Sequence, residues 1–283
     1  LEADRLREAD IVICCADGVS ARDARQLLGA NTTIPFIDLS GGLEGLPEAR
    51  LRSPMAEPAV NSTDYARETS SVYVIAHPVS SALALVLLRL NQAYPVRQSV
   101  VQVFAPASEL GQAAISELQQ QVASLLSFRP LEKRIFDAQL AFNLLPKFGE
   151  DAPEKLEDME SRVERHLATL LAGKAPLPSL RLIQAPVFHG HTFSLWLELM
   201  DSRPDMEDFE AELDSVNIEV RGKDVEPPSN VGAAGESGVI TGLIEPDRNH
   251  LRGVWLWAAL DNYRVMADDA VAVAKQILAG EAS

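Results

Sequence analysis

Few residues in this 283-residue chain have the types and spacing that chemistry needs. His189-Gly190-His191 sets two imidazoles two positions apart. On a strand such a pair shares one face, which is half of a zinc site. The sequence nominates no third ligand, so the expectation is a local turn with one exposed histidine and no metal. Cys14 and Cys15 are the only cysteines. Adjacent thiols build neither a disulfide framework nor a zinc site by themselves. They read as core residues of a strand in a reducing cytosol. Ser80 follows the apolar run Val72–Ala76 and the break His77-Pro78-Val79. A serine there caps a helix, or acts as a nucleophile with His191 as its base. Neither G-x-G-x-x-G nor G-x-x-x-x-G-K-[ST] occurs, and Ser40-Gly41-Gly42 reads as a turn rather than a phosphate loop.

These residues sit in alternating strand and helix patterns. Asp10–Ala16, Ile34–Leu39 and Val72–Ala76 are short continuous apolar runs, as buried parallel strands require. Between the first two lies a helix at Ser20–Leu28, with Leu27 and Leu28 on its apolar side, entered through Asp17-Gly18. The βαβ rhythm points to a parallel sheet. A helix from Ser80 or Ser81 to Gln92 follows. The texture then changes. Ser99–Phe104, Ser179–Phe188, Thr192–Met200, Asn217–Val220, Gly238–Ile244 and Arg252–Ala259 read as strands. Glu109–Leu126, Glu154–Leu171, Asp205–Leu213 and Asn262–Leu278 read as helices. That is a mixed-sheet α+β unit. Glu226–Gly238, rich in Pro and Gly, reads as a flexible loop.

Composition removes several classes. Hydrophobic residues make up 47% and charged residues 23%, a globular balance. With 41 acidic and 25 basic residues the net charge is −16, which disfavours nucleic acid and anionic membranes. No stretch resembles a membrane span or a signal peptide, so the expected location is the cytoplasm. The chain begins on Leu1 without an initiator Met, from which a missing upstream segment is expected.

Five collinear segments carry a resemblance. They are Ala76-His77-Pro78-Val79-Ser80-Ser81-Ala82, Ala141-Phe142-Asn143-Leu144-Leu145-Pro146 and Ala185-Pro186-Val187-Phe188-His189-Gly190-His191-Thr192. The others are Thr241-Gly242-Leu243-Ile244-Glu245-Pro246-Asp247 and Trp255 through Arg264, which includes Asp261-Asn262. In this order the chain resembles the aspartate-semialdehyde dehydrogenase family from Ala9 to Leu278.

The resemblance implies an α/β architecture. Residues 1–80 and 262–283 would be the remainder of a Rossmann-type NAD(P)-binding domain, its first βαβ unit absent. Residues 81–261 would be the mixed-sheet catalytic and dimerisation domain. It implies NADP as cofactor, lying against Asp17, Gly18, Ser40, Gly41 and Asn262, and a homodimer. In the family a cysteine thiolate attacks the aldehyde, hydride passes to NADP, and phosphate releases the acyl group. Ser80 stands at the cysteine position and His191 at the acid–base histidine. Gln184 stands at the substrate-binding arginine and Ala105 at the substrate-positioning glutamine. A family Glu-Glu-x-Lys motif falls near Glu154–Asp158 without a clear lysine. A serine hydroxyl is too weak an acid for a helix N-terminus to ionise, and glutamine cannot make the bidentate charged pair of arginine. The expectation is a family member that keeps fold and dimer but has lost the thiol chemistry. Alternatives are an active NADP-dependent dehydrogenase of amino-acid biosynthesis, a Ser80–His191 hydrolase, and a dimeric scaffold.

Overall fold

The computed structural model describes residues 2–29, 32–57 and 70–281. A short helix α1 (Ala3–Arg7) leads into β1 (Val12–Cys14), α2 (Gly18–Leu28) and β2 (Phe36–Asp38). Next come β3 (Ala49–Arg52), β4 (Val72–Ile75) and α3 (Pro78–Ala93). β1 to β4 form a parallel sheet in the order β1-β2-β4-β3. Its apolar runs are continuous because both faces are covered. Phe36, Val72 and Val74 pack against Ala21 and Ala24 of α2. Ile37, Tyr73 and Ile75 pack on the other face against Ala270 and Val273 of the closing helix α7 (Asn262–Glu281).

Two details differ from the sequence expectations. The buried side of α2 is Ala21, Ala24 and Arg25, while Leu27 is exposed. Small alanines let the helix lie close to the sheet. The Arg25 guanidinium covers the Phe36 ring at 5.4 Å and pairs with Glu48 at 3.0 Å. Cys15 is exposed, and only Cys14 lies in the core. The third segment of the sheet, β3, carries Arg50 and Arg52 and had no apolar run to betray it.

The second sheet has six strands in the order β6-β5-β7-β10-β9-β8. They are β5 (Val96–Ala105), β6 (Ser179–Gln184), β7 (His191–Leu199), β8 (Ile218–Arg221), β9 (Val239–Pro246) and β10 (Gly253–Leu260). β5–β6 and β8–β9 pair in parallel; the other neighbours are antiparallel. The remaining helices are α4 (Gly111–Leu126), α5 (Leu156–Leu171) and α6 (Met206–Leu213). Val101 and Val103 alternate inward on β5, as a sheet with one buried face requires. α3 is buried on almost every side, because α5, α6 and α7 all pack on it. That is why its Leu-rich sequence shows little polar face.

Phe193 on β7 is fully buried in this core. Phe193→Ala is expected to lower stability by about 4 kcal/mol, the lost transfer energy plus the cavity left behind. A urea titration checks it; a loss under about 1 kcal/mol would mean the core collapses around the gap.

Candidate functional site

The site assembles where three chain segments meet. β4 ends at Ile75, and its continuation carries His77 to the N-cap of α3. The His77 Nδ1 accepts from the Val79 N–H at 3.2 Å, and Pro78 occupies the first helical turn, where a missing N–H does no harm. This corrects the expected serine cap: His77 caps the helix, and Ser80 lies inside it. A 3₁₀ turn at Ala107–Leu110 follows β5 and presents Glu109. Its backbone is tied to the segment before β7 by Ala107 N–H to Val187 O (2.8 Å) and Ser108 N–H to Phe188 O (3.0 Å). That segment delivers His191 as the first residue of β7.

The two carboxylate oxygens of Glu109 thus face two imidazoles. His77 Nε2 donates to Oε1 at 2.8 Å. His191 Nε2 lies 3.2 Å from Oε2, but neither ring nitrogen of His191 makes a hydrogen bond. His77 and His191 approach edge to face, with ring centroids 5.6 Å apart. His191 is fully buried. Burial pushes the His77 pKa down, so its ring is the neutral donor. Burial alone would raise Glu109, yet the facing imidazoles hold its carboxyl well below the usual range.

His189 and His191 do not share a face. Gly190 has φ +82°, a left-handed conformation that turns the chain between them. His189 Nε2 instead contacts Asp261 Oδ1 at 2.8 Å, and its Nδ1 lies 3.1 Å from Ser108 Oγ. Asp261 also accepts from the N–H groups of Tyr263 and Arg264 and so caps α7. Partial burial pushes its pKa up, but the Arg264 and Gly235 N–H groups together with His189 outweigh it and hold the carboxyl below its usual value.

The residues singled out from the sequence are placed as follows. Ser80 is fully buried, and its hydroxyl donates to the Val163 carbonyl of α5 at 2.8 Å. It makes no hydrogen bond to His191, so the Ser–His pair of a hydrolase is not assembled. Gln184 is buried, its Nε2 donating to the carbonyls of Ala105 (2.9 Å) and Ala185 (3.2 Å). Ala105 itself is a buried methyl opposite it on β5. Asp17 caps α2 by accepting from Ser20 N–H at 2.8 Å. Gly18 and Gly42 touch backbone to backbone: a Cβ on Gly18 would lie 3.0 Å from Gly42 Cα. Ser40 Oγ donates to the buried Asp38 at 2.6 Å, and Gly41 has φ +75°. Asn262 accepts from Gly190 N–H at 3.2 Å and Ser108 Oγ at 3.3 Å. Sequence reasoning missed His77 as a participant and Glu109 altogether. The one signal for Glu109 was a lone acid inside the small and apolar run Ala105–Leu110.

A family model described as the semialdehyde dehydrogenase dimerisation domain matches residues 87–265. The USG-1 protein homolog of Pseudomonas aeruginosa is 31% identical over 249 residues, 87% of this chain and 71% of its own. The aspartate-semialdehyde dehydrogenase of Rickettsia bellii is 26% identical over 211 residues, 72% of this chain. This chain spans only 62% of that relative's length. A solved structure of a probable aspartate-semialdehyde dehydrogenase from Pseudomonas aeruginosa aligns with TM-score 0.81 at 28% identity, covering 96% of this chain and 80% of that one. Fold and matches together define a semialdehyde dehydrogenase-type α/β protein, a Rossmann-like parallel sheet joined to a mixed sheet that lies within the residues the family model matches. The chain belongs to the aspartate-semialdehyde dehydrogenase family.

Proposed function

We propose that this chain keeps the family's fold and dimerising surface but does not carry out thiol-dependent hydride transfer from a semialdehyde. One observation carries the reading: Ser80, at the nucleophile position, is buried with its hydroxyl committed to the Val163 carbonyl. A group so placed neither attacks a carbonyl nor hands its proton to His191. Two others support it. Gln184 is neutral and spends both amide hydrogens on backbone carbonyls where a substrate carboxylate needs a cation. Ala105 offers no polar atom. His191, at the acid–base position, faces Glu109 rather than a nucleophile.

NADP is the cofactor the family implies, and the proposal includes it without assigning it to the glycines at the strand ends. A Candida albicans family structure, which shares the fold at 15% identity and TM-score 0.64, is described with NADP. Among the described residues the glycines at the strand ends serve turn-to-turn packing, since Gly18 backbone fills the space beside Gly42. The Asp17 carboxylate holds the N-terminus of α2, where a phosphate would otherwise sit. These residues therefore do not form a phosphate cradle. We further take residues 1–80 with 262–283 and residues 81–261 as the two domains. A cytoplasmic homodimer joined through the second domain completes the reading. No helix among the described residues is long and apolar enough to cross a membrane.

The test is NADPH formation by the purified protein with aspartate semialdehyde, phosphate and NADP, beside Ser80→Cys. Neither protein is expected to turn over, because a thiol at 80 would still face Val163 and lack the arginine and glutamine. Turnover by the wild type would overturn the proposal. Turnover by the variant alone would show a substrate site still intact around a lost nucleophile.

A further inference from the structure

The His77–Glu109–His191 cluster has the donor set of a metal centre. Their ligand atoms all lie within 4.8 Å of one another, and no other such group occurs among the described residues. Two imidazoles and a carboxylate with one position left over are the protein ligands of open zinc sites. With bonds of about 2.0–2.1 Å, tetrahedral ligand atoms stand about 3.3 Å apart. The Glu109 oxygens are already 2.8 Å from His77 Nε2 and 3.2 Å from His191 Nε2. The two imidazole nitrogens stand within 4.8 Å of one another, so an ion would draw the rings around it while Glu109 moves off His77.

A second, independent feature points the same way. His191 is fully buried; its Nδ1 has no hydrogen-bond partner, and its Nε2 meets Glu109 Oε2 at 3.2 Å without good hydrogen-bond geometry. A buried polar atom without a partner is rare and unfavourable. A coordinate bond would satisfy Nε2, the atom already facing Glu109, and would leave the ring proton on Nδ1. The three ligands also stand on separate rigid supports: the α3 N-cap, a 3₁₀ turn and the first residue of β7. The hydrogen bonds from Ala107 and Ser108 hold two of those supports together without any metal.

We propose that His77, Glu109 and His191 bind one divalent transition ion of the zinc class, with a fourth position open to water or a carbonyl ligand. Nitrogen and oxygen donors of this kind suit zinc, and disfavour calcium and magnesium, which take oxygen. One local change accompanies binding. His77 now accepts from Val79 N–H at Nδ1, so its proton is on Nε2. Coordination through Nε2 moves that proton to Nδ1 and gives up the 3.2 Å capping contact. Two hydrogen bonds, the 3.2 Å cap and the 2.8 Å bond to Glu109 Oε1, are exchanged for metal–ligand bonds at His77 and Glu109. The inference rests on this geometry alone and stands whether or not the thiol reaction is lost.

The experiment is Zn²⁺ competition against a chromophoric chelator, with tag-free protein freed of metal. Wild type is expected to take one equivalent. Even outer partners of a metal ligand change affinity about 10–100-fold, so Glu109→Gln and His191→Gln should each weaken binding about a hundredfold or more. His189→Asn, on the neighbouring imidazole that faces Asp261, should bind as wild type does. Circular dichroism checks that the variants fold. Should either fail to fold, Co²⁺ added to the unmutated protein still decides. Intense ligand-field bands of a tetrahedral site support the proposal, and the weak spectrum of a hexa-aqua ion overturns it. No uptake by wild type, or uptake unchanged in folded Glu109→Gln and His191→Gln, would also overturn it.

Discussion

Asp269→Asn is expected to raise the stability of this protein by about 4 kcal/mol at pH 8 and by little near pH 4. Asp269 lies on α7, almost wholly buried where that helix meets the segment after β3. It accepts from Met55 N–H at 2.8 Å and from Ser53 Oγ at 3.0 Å. Burial pushes its pKa up from 3.8 to about 7, beyond what those two donors recover, and Glu57 and Asp268 push the same way. The sign follows from which state holds the proton. Between pH 4 and pH 7 the folded carboxyl is protonated while the unfolded one is not. Stability from this group is therefore full below pH 4, falls as pH rises, and reaches its minimum above 7. Asparagine keeps an acceptor for Met55 and carries no charge to bury. Comparing urea midpoints of variant and wild type at the two pH values cancels the titrating groups that do not sense Asp269, leaving its own effect and that of its neighbours Glu57, Asp268 and Arg52. A gain of equal size at both pH values would show that the side chain's shape, not its charge, sets the difference.

Gly42→Ala should be among the most damaging single methyl additions in the small sheet. The new Cβ would stand 2.5 Å from Gly18 Cα and closer still to the Gly18 carbonyl oxygen. Both are backbone atoms at the start of α2, so no rotamer change relieves the clash. The turn after β2 is also pinned, because Asp38 accepts from Ser40 and Leu43 N–H groups. Relief must come from separating α2 from that turn, at an expected loss of about 3 kcal/mol or more. Gly45→Ala is the control: a Cβ there meets nothing within 4 Å, and little change is expected. Thermal melts of the two variants separate the cases. Equal melting temperatures would mean the α2 entry is not closed against the turn, and would reopen the strand-end glycines as a ligand-approach surface.

How much of this was legible depended on how local the signal was. Val72–Ile75 and Phe36–Asp38 were readable because a strand covered on both faces must be apolar throughout. The strands of the mixed sheet and the helices Leu156–Leu171 and Asn262–Glu281 came within a few residues of their expected ends. Ala49–Arg52 was not readable, since an edge strand with two arginines shows no apolar pattern. Ser80, Gln184 and Ala105 could be flagged from collinear motifs, but not where their polar atoms point. That Ser80 turns to Val163 depends on α5 packing on α3, an 83-residue separation.

The sequence by itself determined the alternation of elements, hence two sheets of different character. Its motifs determined the family, and its substitutions the doubt about thiol chemistry. Only the tertiary structure decided which histidines meet. On an uninterrupted strand His189 and His191 would share a face, and the sequence favoured a local turn there. A positive φ at Gly190 separates them, sending His189 to Asp261 and His191 inward. The partners of His191 come instead from an α3 N-cap and a 3₁₀ turn, themselves 32 residues apart. No local pattern encodes that meeting, because it is made where the segment after β4, the 3₁₀ turn after β5 and the start of β7 converge.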